Sequence, residues 1–355
     1  MSSLPCFPTT GEKPEISQGT NERDPSNSTG VLQLQPILAT GGYDRTIRLW
    51  QPYTGQRIRT LVHSSSQVNS LAISSTHDLL AAGGYERIRL YDFNRPYPTA
   101  QIDFGLHKNV TRVGFQQQGN RWLYTGGEDG KVCLWDINAT KRPSCMHIFE
   151  CQRPVNALCL LPNQVELLIA MQQGGIYLWD IRSDQYDLVS PEADCAVQDV
   201  TVSPNGAYMA AITSQGKCFI WTLTAQGTGL TKMESAICLK AHRKYGLRCR
   251  FSPDSSLLVT CSGDGTARIY RTDRWMLQAE LPIERFWMWD AVFNYNSKYI
   301  ITASSDCLAR LWDIETNRVE RLYSGHLKAV TALALRDVSV GSTADTTGKG
   351  LSSTH

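Results

Sequence analysis

Apolar and polar positions alternate along most of this chain, in short runs broken by glycine and acidic turns. The stretch Ile37–Trp50 (I-L-A-T-G-G-Y-D-R-T-I-R-L-W) shows the form. An apolar, β-favouring run meets a Gly-Gly turn with Asp44, and a second run follows and ends in tryptophan. Alternation joined by that turn chemistry predicts a β-hairpin. Leu247, Cys249 and Phe251 alternate with Arg248 and Arg250 in the same way. No apolar period of about 3.6 residues persists over a dozen positions, so helices are not expected.

The hairpin recurs down the chain. Aligned on the aromatic residue that ends each one, the copies fall at Trp50, Tyr91, Trp135, Trp179, Trp221, Tyr270 and Trp312, in steps of 41, 44, 44, 42, 49 and 42 residues. Aspartate follows at Asp92, Asp136, Asp180 and Asp313. The long step comes after Trp221, where T-A-Q-G-T-G-L-T-K-M-E-S reads as a loop insertion. Short apolar strands precede all hairpins but the first: Val68–Ile73, Val110–Phe115, Val155–Leu160, Val197–Val202, Gly246–Phe251 and Met288–Phe293. One more, Val330–Leu335, follows the last hairpin. This period resembles a WD-repeat array, which implies an all-β, seven-bladed WD-repeat β-propeller with four strands per blade. The unpaired first hairpin and last strand predict a shared blade, with the C-terminal strand closing the ring against the N-terminal hairpin. The propeller is expected over 31–337. Residues 1–30 and 338–355, rich in Ser, Thr and Gly, read as disordered tails.

Charge and cysteine content narrow the function. Lys+Arg 35 against Asp+Glu 33, with no like-charge block, leaves nucleic-acid binding without electrostatic support. The N-terminus has no basic-then-apolar leader, and no apolar run approaches the roughly 18 residues of a membrane span, so neither secretion nor membrane insertion is expected. Eleven cysteines, an odd number without a C-x-x-C pair, read as free thiols in a reducing compartment, and a cytoplasmic location is expected. No zinc spacing or phosphate-binding loop occurs, and no cofactor is expected. Arg243, Lys244, Arg248 and Arg250 form a basic cluster, but alternation around Cys249 favours a solvated or paired strand face over a phosphate site.

In WD repeats a buried His–Asp–Thr–Trp chain ties the loop before the inner strand to the hairpin. The Thr and Asp spacing is kept by Thr40/Asp44/Trp50, Thr125/Asp129/Trp135, Thr260/Asp264/Tyr270 and Thr302/Asp306/Trp312. Resemblance to that pattern implies two full tetrads, His107–Asp129–Thr125–Trp135 and His326–Asp44–Thr40–Trp50. The third set, with His242, ends in Tyr270 and the fourth lacks a histidine, while His63 faces Ala82 and Glu86 at the partner positions. The repeats ending at Trp179 and Trp221 carry Ile169/Gln173 and Ala211/Gln215 instead. A catalytic triad needs one special nucleophile in a cleft, whereas these groups repeat from blade to blade, so they read as structure and not as an enzyme site.

A propeller without chemistry is a binding platform. Two sets of side chains are expected around the channel at the hairpin-turn end. One lies at the inner strands: Gln67, Asn69, Asn109, Thr111, Asn156, Gln198, Tyr245, Trp287 and Trp289. The other lies before the turn acid: Tyr43, Tyr85, Glu128 and Gln172. Exposed aromatics beside adaptable amides have the composition of an interface centre.

Several stretches carry a closer resemblance: Ile37–Gln51, Gln67–Leu71, Ala81–Asp92, Trp122–Asp129, Pro162–Leu167, Cys249–Leu258, the W-M-W of Trp287–Trp289, and Thr302–Trp312. With G-G-Y-D at Gly41–Asp44 and a second G-G-Y at Gly83–Tyr85, they resemble the G-protein-β-subunit-like WD-repeat subunit of target of rapamycin (TOR) kinase complexes. The resemblance covers roughly 37–335; Leu281–Arg285 is shorter than the family pattern. It implies a non-catalytic scaffold shared by TOR complexes 1 and 2. It implies TOR kinase and other complex subunits as partners, and recruitment to endomembranes with the complex. Docking would be on the carboxy-terminal lobe of the kinase domain, stabilising the active kinase. The matching positions are Tyr43, Asn69, Tyr85, Asn156, Trp287 and Trp289, with Tyr245 beside them. The competing reading is another WD-repeat adaptor, such as a ubiquitin-ligase substrate receptor.

Overall fold

The computed structural model describes residues 35–337 apart from 64–65, 75, 77, 94, 96–97, 103–107, 120–121, 138–142 and 226–228. The tails expected at 1–30 and 338–355 lie outside the described residues, as does His107. The described residues form twenty-eight strands and no helix. The strands assemble as seven antiparallel four-stranded sheets, each a blade. Blade 1 joins Val330–Arg336 to Ile37–Gly42, Thr46–Trp50 and Arg57–Val62. Blades 2 to 7 follow in chain order over 70–102, 110–150, 155–189, 197–240, 246–282 and 288–323.

Ring closure is the predicted one: Ile37 pairs with Arg336, and the ladder runs to Gly41 opposite Ala332. The Gly-Gly turn has a steric cause. A Cβ on Gly42 would collide with the Ala329 carbonyl, so only glycine lets the first hairpin meet the last loop. The Tyr43 N–H then donates to the Ala329 oxygen at 3.0 Å.

Burial explains why alternation fades in the middle strands. Glu166–Met171 and Leu257–Ser262 are buried along their whole length, because both faces of each blade are covered by neighbours. The outermost strand Arg318–Tyr323 is exposed at every position but the last. An apolar cluster fills each of the seven seams between blades. The aromatic residue of each hairpin is buried in one of these seams. Covering about 150–250 Å² of such a ring is worth about 4–6 kcal/mol of hydrophobic transfer. This is why the aromatic recurs at every repeat.

The innermost strands share a second feature. Pairing jumps one residue near their start, from Val110 to Arg112, Val155 to Ala157, Val197 to Asp199, Gly246 to Arg248, Met288 to Asp290 and, in blade 1, Val330 to Ala332. The skipped residues are Thr111, Asn156, Gln198, Leu247, Trp289 and Thr331, and Asn69 holds the matching place in blade 2. A bulge re-aims its extra side chain. These seven side chains meet as a ring lining the channel mouth at the hairpin-turn end.

Candidate protein-binding face

Around half of the mouth the bulge residues bridge to the next blade. Thr331 Oγ1 donates to the Val68 carbonyl at 2.6 Å, Asn69 Nδ2 to Val110 at 3.0 Å, Thr111 Oγ1 to Val155 at 2.7 Å and Asn156 Nδ2 to Val197 at 2.9 Å. Asn69 Nδ2 also donates to Asn109, whose own amide donates to Glu128 at 2.8 Å. Asn69 and Asn156 therefore sit on the rim as expected, but their N–H groups face the adjacent blade. Asn69 keeps only its carbonyl oxygen for a partner, while Asn156 keeps its carbonyl oxygen and one N–H.

The other half of the mouth carries Gln198, Leu247 and Trp289, and the rim there is aromatic. Tyr245 stacks on Trp287 (6.4 Å between centroids, 29°), Trp287 leans on Trp289 (5.3 Å, 41°), and Tyr43 meets Trp289 edge-on (6.0 Å, 81°). One continuous ladder thus crosses blades 6, 7 and 1. Tyr43, Tyr245 and Trp287 are 41%, 56% and 41% exposed. Tyr85 is exposed as well, on blade 2, outside the ladder. Alternation leaves room for one of the two tryptophans in the core; neither is there. Met288 between them is the buried residue, and Trp289 is half-buried, its indole N–H donating to Ser305 at 2.7 Å.

Local size explains where the tryptophans sit. At the turn position that holds Tyr43 and Tyr85 in blades 1 and 2, blades 6 and 7 have Gly263 and Ser305. A Cβ on Gly263 would lie 3.4 Å from the Trp287 ring, so the indole rests on bare backbone. In blade 1 the large Tyr43 stands over Ala329, and in blades 6 and 7 the small Gly263 and Ser305 stand over Tyr245 and Trp287.

One layer deeper lies a set of charges that the sequence reading did not assemble. Asp199 and Asp290 are buried. Asp199 Oδ1 accepts from Arg112 at 2.7 Å and lies 3.6 Å from Arg248; Asp290 Oδ1 lies 3.5 Å from Arg248 and 3.3 Å from Arg250. Each Oδ2 accepts a backbone N–H of the next inner strand, Cys249 for Asp199 and Leu333 for Asp290. This corrects the view of Arg243, Lys244, Arg248 and Arg250 as one group: the last two are channel ion pairs, while Arg243 and Lys244 are exposed. The available signal was the third position of the aligned inner strands, which reads Ala332, Ser70, Arg112, Ala157, Asp199, Arg248, Asp290.

At the ring closure, Trp50 Nε1 donates to Thr40 Oγ1 at 2.9 Å, Thr40 Oγ1 lies 2.7 Å from His326 Nε2, and His326 Nδ1 lies 2.9 Å from Asp44 Oδ2. A neutral imidazole satisfies every atom: its Nδ1–H donates to Asp44 and its Nε2 accepts the Thr40 hydroxyl. Burial lowers the His326 pKa and outweighs the pull of Asp44. Burial alone would raise the Asp44 carboxyl, but His326, the Leu327 N–H and Thr46 hold it below the ordinary value.

In blade 3, Trp135 Nε1 donates to Thr125 at 2.9 Å. The His107 of that tetrad is outside the described residues. The third set forms its polar part, with His242 at 2.9 Å from Thr260 and 3.1 Å from Asp264, but the Tyr270 hydroxyl turns to the Ala241 carbonyl at 3.5 Å. In the fourth, Trp312 donates to Thr302 at 2.9 Å, and Arg310 pairs with Asp306 where no histidine is present. Trp179, without a threonine, donates to Asp184 at 2.8 Å. His63 is fully buried; its Nδ1 lies 3.2 Å from the Tyr91 hydroxyl, and its Nε2 has no partner among the described residues. Burial, with Arg89 and Arg87 nearby, lowers its pKa to about 4.

Among the described residues no group of His, Cys, Asp and Glu could hold a metal ion. Burial pushes the Cys133 and Cys218 thiols up to about 12, which removes them as nucleophiles near neutral pH. What the face offers is a rigid rim of exposed aromatics, the composition of an interface hot spot.

Comparison with known proteins agrees with this architecture. The family model for the WD domain, G-beta repeat matches residues 25–51, 55–92, 101–136, 234–271 and 281–313. The gap between the third and fourth matches holds blades 4 and 5, where the Thr and Asp of the network are replaced. "Protein LST8 homolog" of Drosophila melanogaster is 49% identical over 311 residues, 87% of this chain and 99% of that protein. "Target of rapamycin complex subunit LST8" of Bos taurus is 43% identical over 327 residues, 89% of this chain and 100% of that protein. The Saccharomyces cerevisiae protein of the same name is 38% identical over 308 residues, 86% of this chain and 100% of that protein. With a closed ring of seven blades and identity of this depth along the whole of these relatives, the chain belongs to the LST8 family of WD-repeat proteins.

Proposed function

We propose that this protein is a non-catalytic scaffold subunit of target of rapamycin complexes. In this reading the ladder Tyr245–Trp287–Trp289–Tyr43, with Tyr85 beside it, docks on the carboxy-terminal lobe of the kinase domain. The observation that carries the reading is an exposed aromatic ladder on a member of a family whose relatives are named as subunits of that complex. A rigid partner that binds the competent kinase conformer best raises its population. The subunit acts in this way in both complexes, in the cytoplasm and on endomembranes reached through the complex. Among the described residues no helix is long and apolar enough to cross a membrane.

The test is co-purification of TOR kinase with the double variant Trp287→Ala, Trp289→Ala. Loss of two central anchors is expected to cost at least about 2 kcal/mol each, so affinity falls by roughly a thousandfold and capture with it. Thermal unfolding of the isolated variant stays near wild type. Undiminished capture would exclude the ladder as the docking site.

A further inference from the structure

The channel has a second mouth, at the far ends of the inner strands, away from the aromatic ladder. A cavity of about 630 Å³ opens there, within the size range of small-ligand sites. Arg112 and Arg250 line it, together with Thr201, Tyr124, Gln116 and Gln117. No carboxylate is among its lining residues. Asp199 and Asp290 lie in the layer beneath, each with one oxygen turned to strand backbone.

Charge and donor counts in the channel do not balance. Three guanidiniums (Arg112, Arg248 and Arg250) face two carboxylates (Asp199 and Asp290), leaving one formal positive charge over. A guanidinium carries five N–H donors. Arg112 and Arg250 each donate one hydrogen bond, from Nη2 to Asp199 and to Asp290, and their other donors have no acceptor among the described residues. A cation short of counter-charge in a partly buried site attracts an anion more strongly than it would in water. Guanidinium forks favour phosphate and carboxylate, and hydroxyl donors nearby suit the group with more oxygens.

Tyr124 owes its place to a missing side chain. It comes from the second strand of blade 3, yet it reaches the channel wall over Gly114, where any Cβ would collide with its ring. Its burial is complete enough to raise its pKa, so it remains a neutral hydroxyl. Thr201 supplies a second hydroxyl, from blade 5. The cavity therefore presents two guanidiniums and two hydroxyls from blades 3, 5 and 6.

We propose that this end of the channel is a binding site for a phosphate group, carried by Arg112 and Arg250 and completed by Thr201 and Tyr124. The source is either free inorganic phosphate or the phosphomonoester of a small metabolite. The site is independent of the aromatic rim, so its test does not rest on the docking reading.

Isothermal titration of the full-length protein with inorganic phosphate and, separately, with glycerol 3-phosphate distinguishes the sources; the tighter ligand identifies the natural class. Saturable binding is expected below about 10 mM for at least one of them. Arg250→Gln leaves Asp290 its bonds to Arg248 and the Leu333 N–H, so this variant folds, and its affinity is expected to drop at least about tenfold. Thr201→Val changes no charge and is expected to weaken binding about threefold or more. Absence of saturable heat in the wild type, unchanged affinity in both variants, or equal binding of acetate would each overturn the assignment.

Discussion

The two halves of the channel mouth differ at the rim. From blade 1 to blade 5 the seams are bridged at the rim itself, by Thr331, Asn69, Thr111 and Asn156, and one of them also a layer down, where Ser70 accepts the Val113 N–H at 3.2 Å. From blade 5 round to blade 1 the rim residues Gln198, Leu247 and Trp289 make no such hydrogen-bonded bridge among the described residues. There the seams are joined one layer down, by Asp199 to the Cys249 N–H, by Arg248 and Arg250 to Asp290, and by Asp290 to the Leu333 N–H. Moving the cross-links inward frees the rim on that side. The aromatic ladder stands on the freed side. A repeat fold can thus keep its ring intact while one sector gives its surface to a partner.

The sharpest way to break this comparison is to remove an inner cross-link. Asp290→Ala removes the carboxylate from Arg248, Arg250 and the Leu333 and Ala291 N–H groups at once, and leaves both arginines short of counter-charge. Urea denaturation is expected to show a loss of about 3–5 kcal/mol. A loss no greater than that of a rim bridge would mean that the two halves are held by something else.

A second measurement separates neighbouring blades on the bridged side. His63 is kept neutral by burial, with a folded pKa of about 4 against 6.5. A depressed histidine pKa means that the folded state resists protonation. Its stability contribution is whole above pH 6.5 and is lost as pH falls towards 4. About 3 kcal/mol should go over that window. His63→Leu should flatten the profile, and an unchanged slope would point to other groups.

The ring-closing network comes next. Asp44→Ala is expected to lower stability by about 1–3 kcal/mol, since it strands His326 Nδ1 and the Leu327 N–H. Because the Asp44 carboxyl is held below its ordinary 3.8, its contribution is present above that pH and fades as pH falls further. Thermal unfolding no earlier than wild type would show that closure does not depend on this chain of bonds.

Two smaller effects complete the series. Asn156→Ala removes one rim bridge and should cost about 1 kcal/mol in the same urea experiment. Trp287→Ala, on the unbridged side, should cost less than about 1 kcal/mol of stability, the worth of its stacking on Tyr245 and Trp289. A larger stability loss would make the ladder a structural element before a docking one.

Much of the fold is legible in the chain because its rules are local. Hairpin alternation, turn glycines and the spacing Thr40, Asp44, Trp50 each lie within a few residues of one another. The inner-strand ladder, read against the hairpins, predicts the shared first blade. Less of the face is legible. Tyr43, Tyr245, Trp287 and Trp289 stand out by residue type, but their order as one stack depends on Gly263 and Ser305, which carry no signal of their own. Asn69 and Asn156 look like free rim amides, and only their neighbours' carbonyls show that they tie blades together.

The sequence by itself determined the repeat, the count of blades, the closing strand and the composition of the rim, since each follows from periodicity and short-range spacing. Tertiary structure alone decided what the channel contains. Arg112 meets Asp199 across 87 positions of chain, and Asp290 meets Arg248, Arg250 and the Leu333 N–H from two other blades. The physical reason is that seven inner strands, far apart in sequence, present the same position to one narrow axis. Which charges balance there, and which are left over, is settled only when the ring closes.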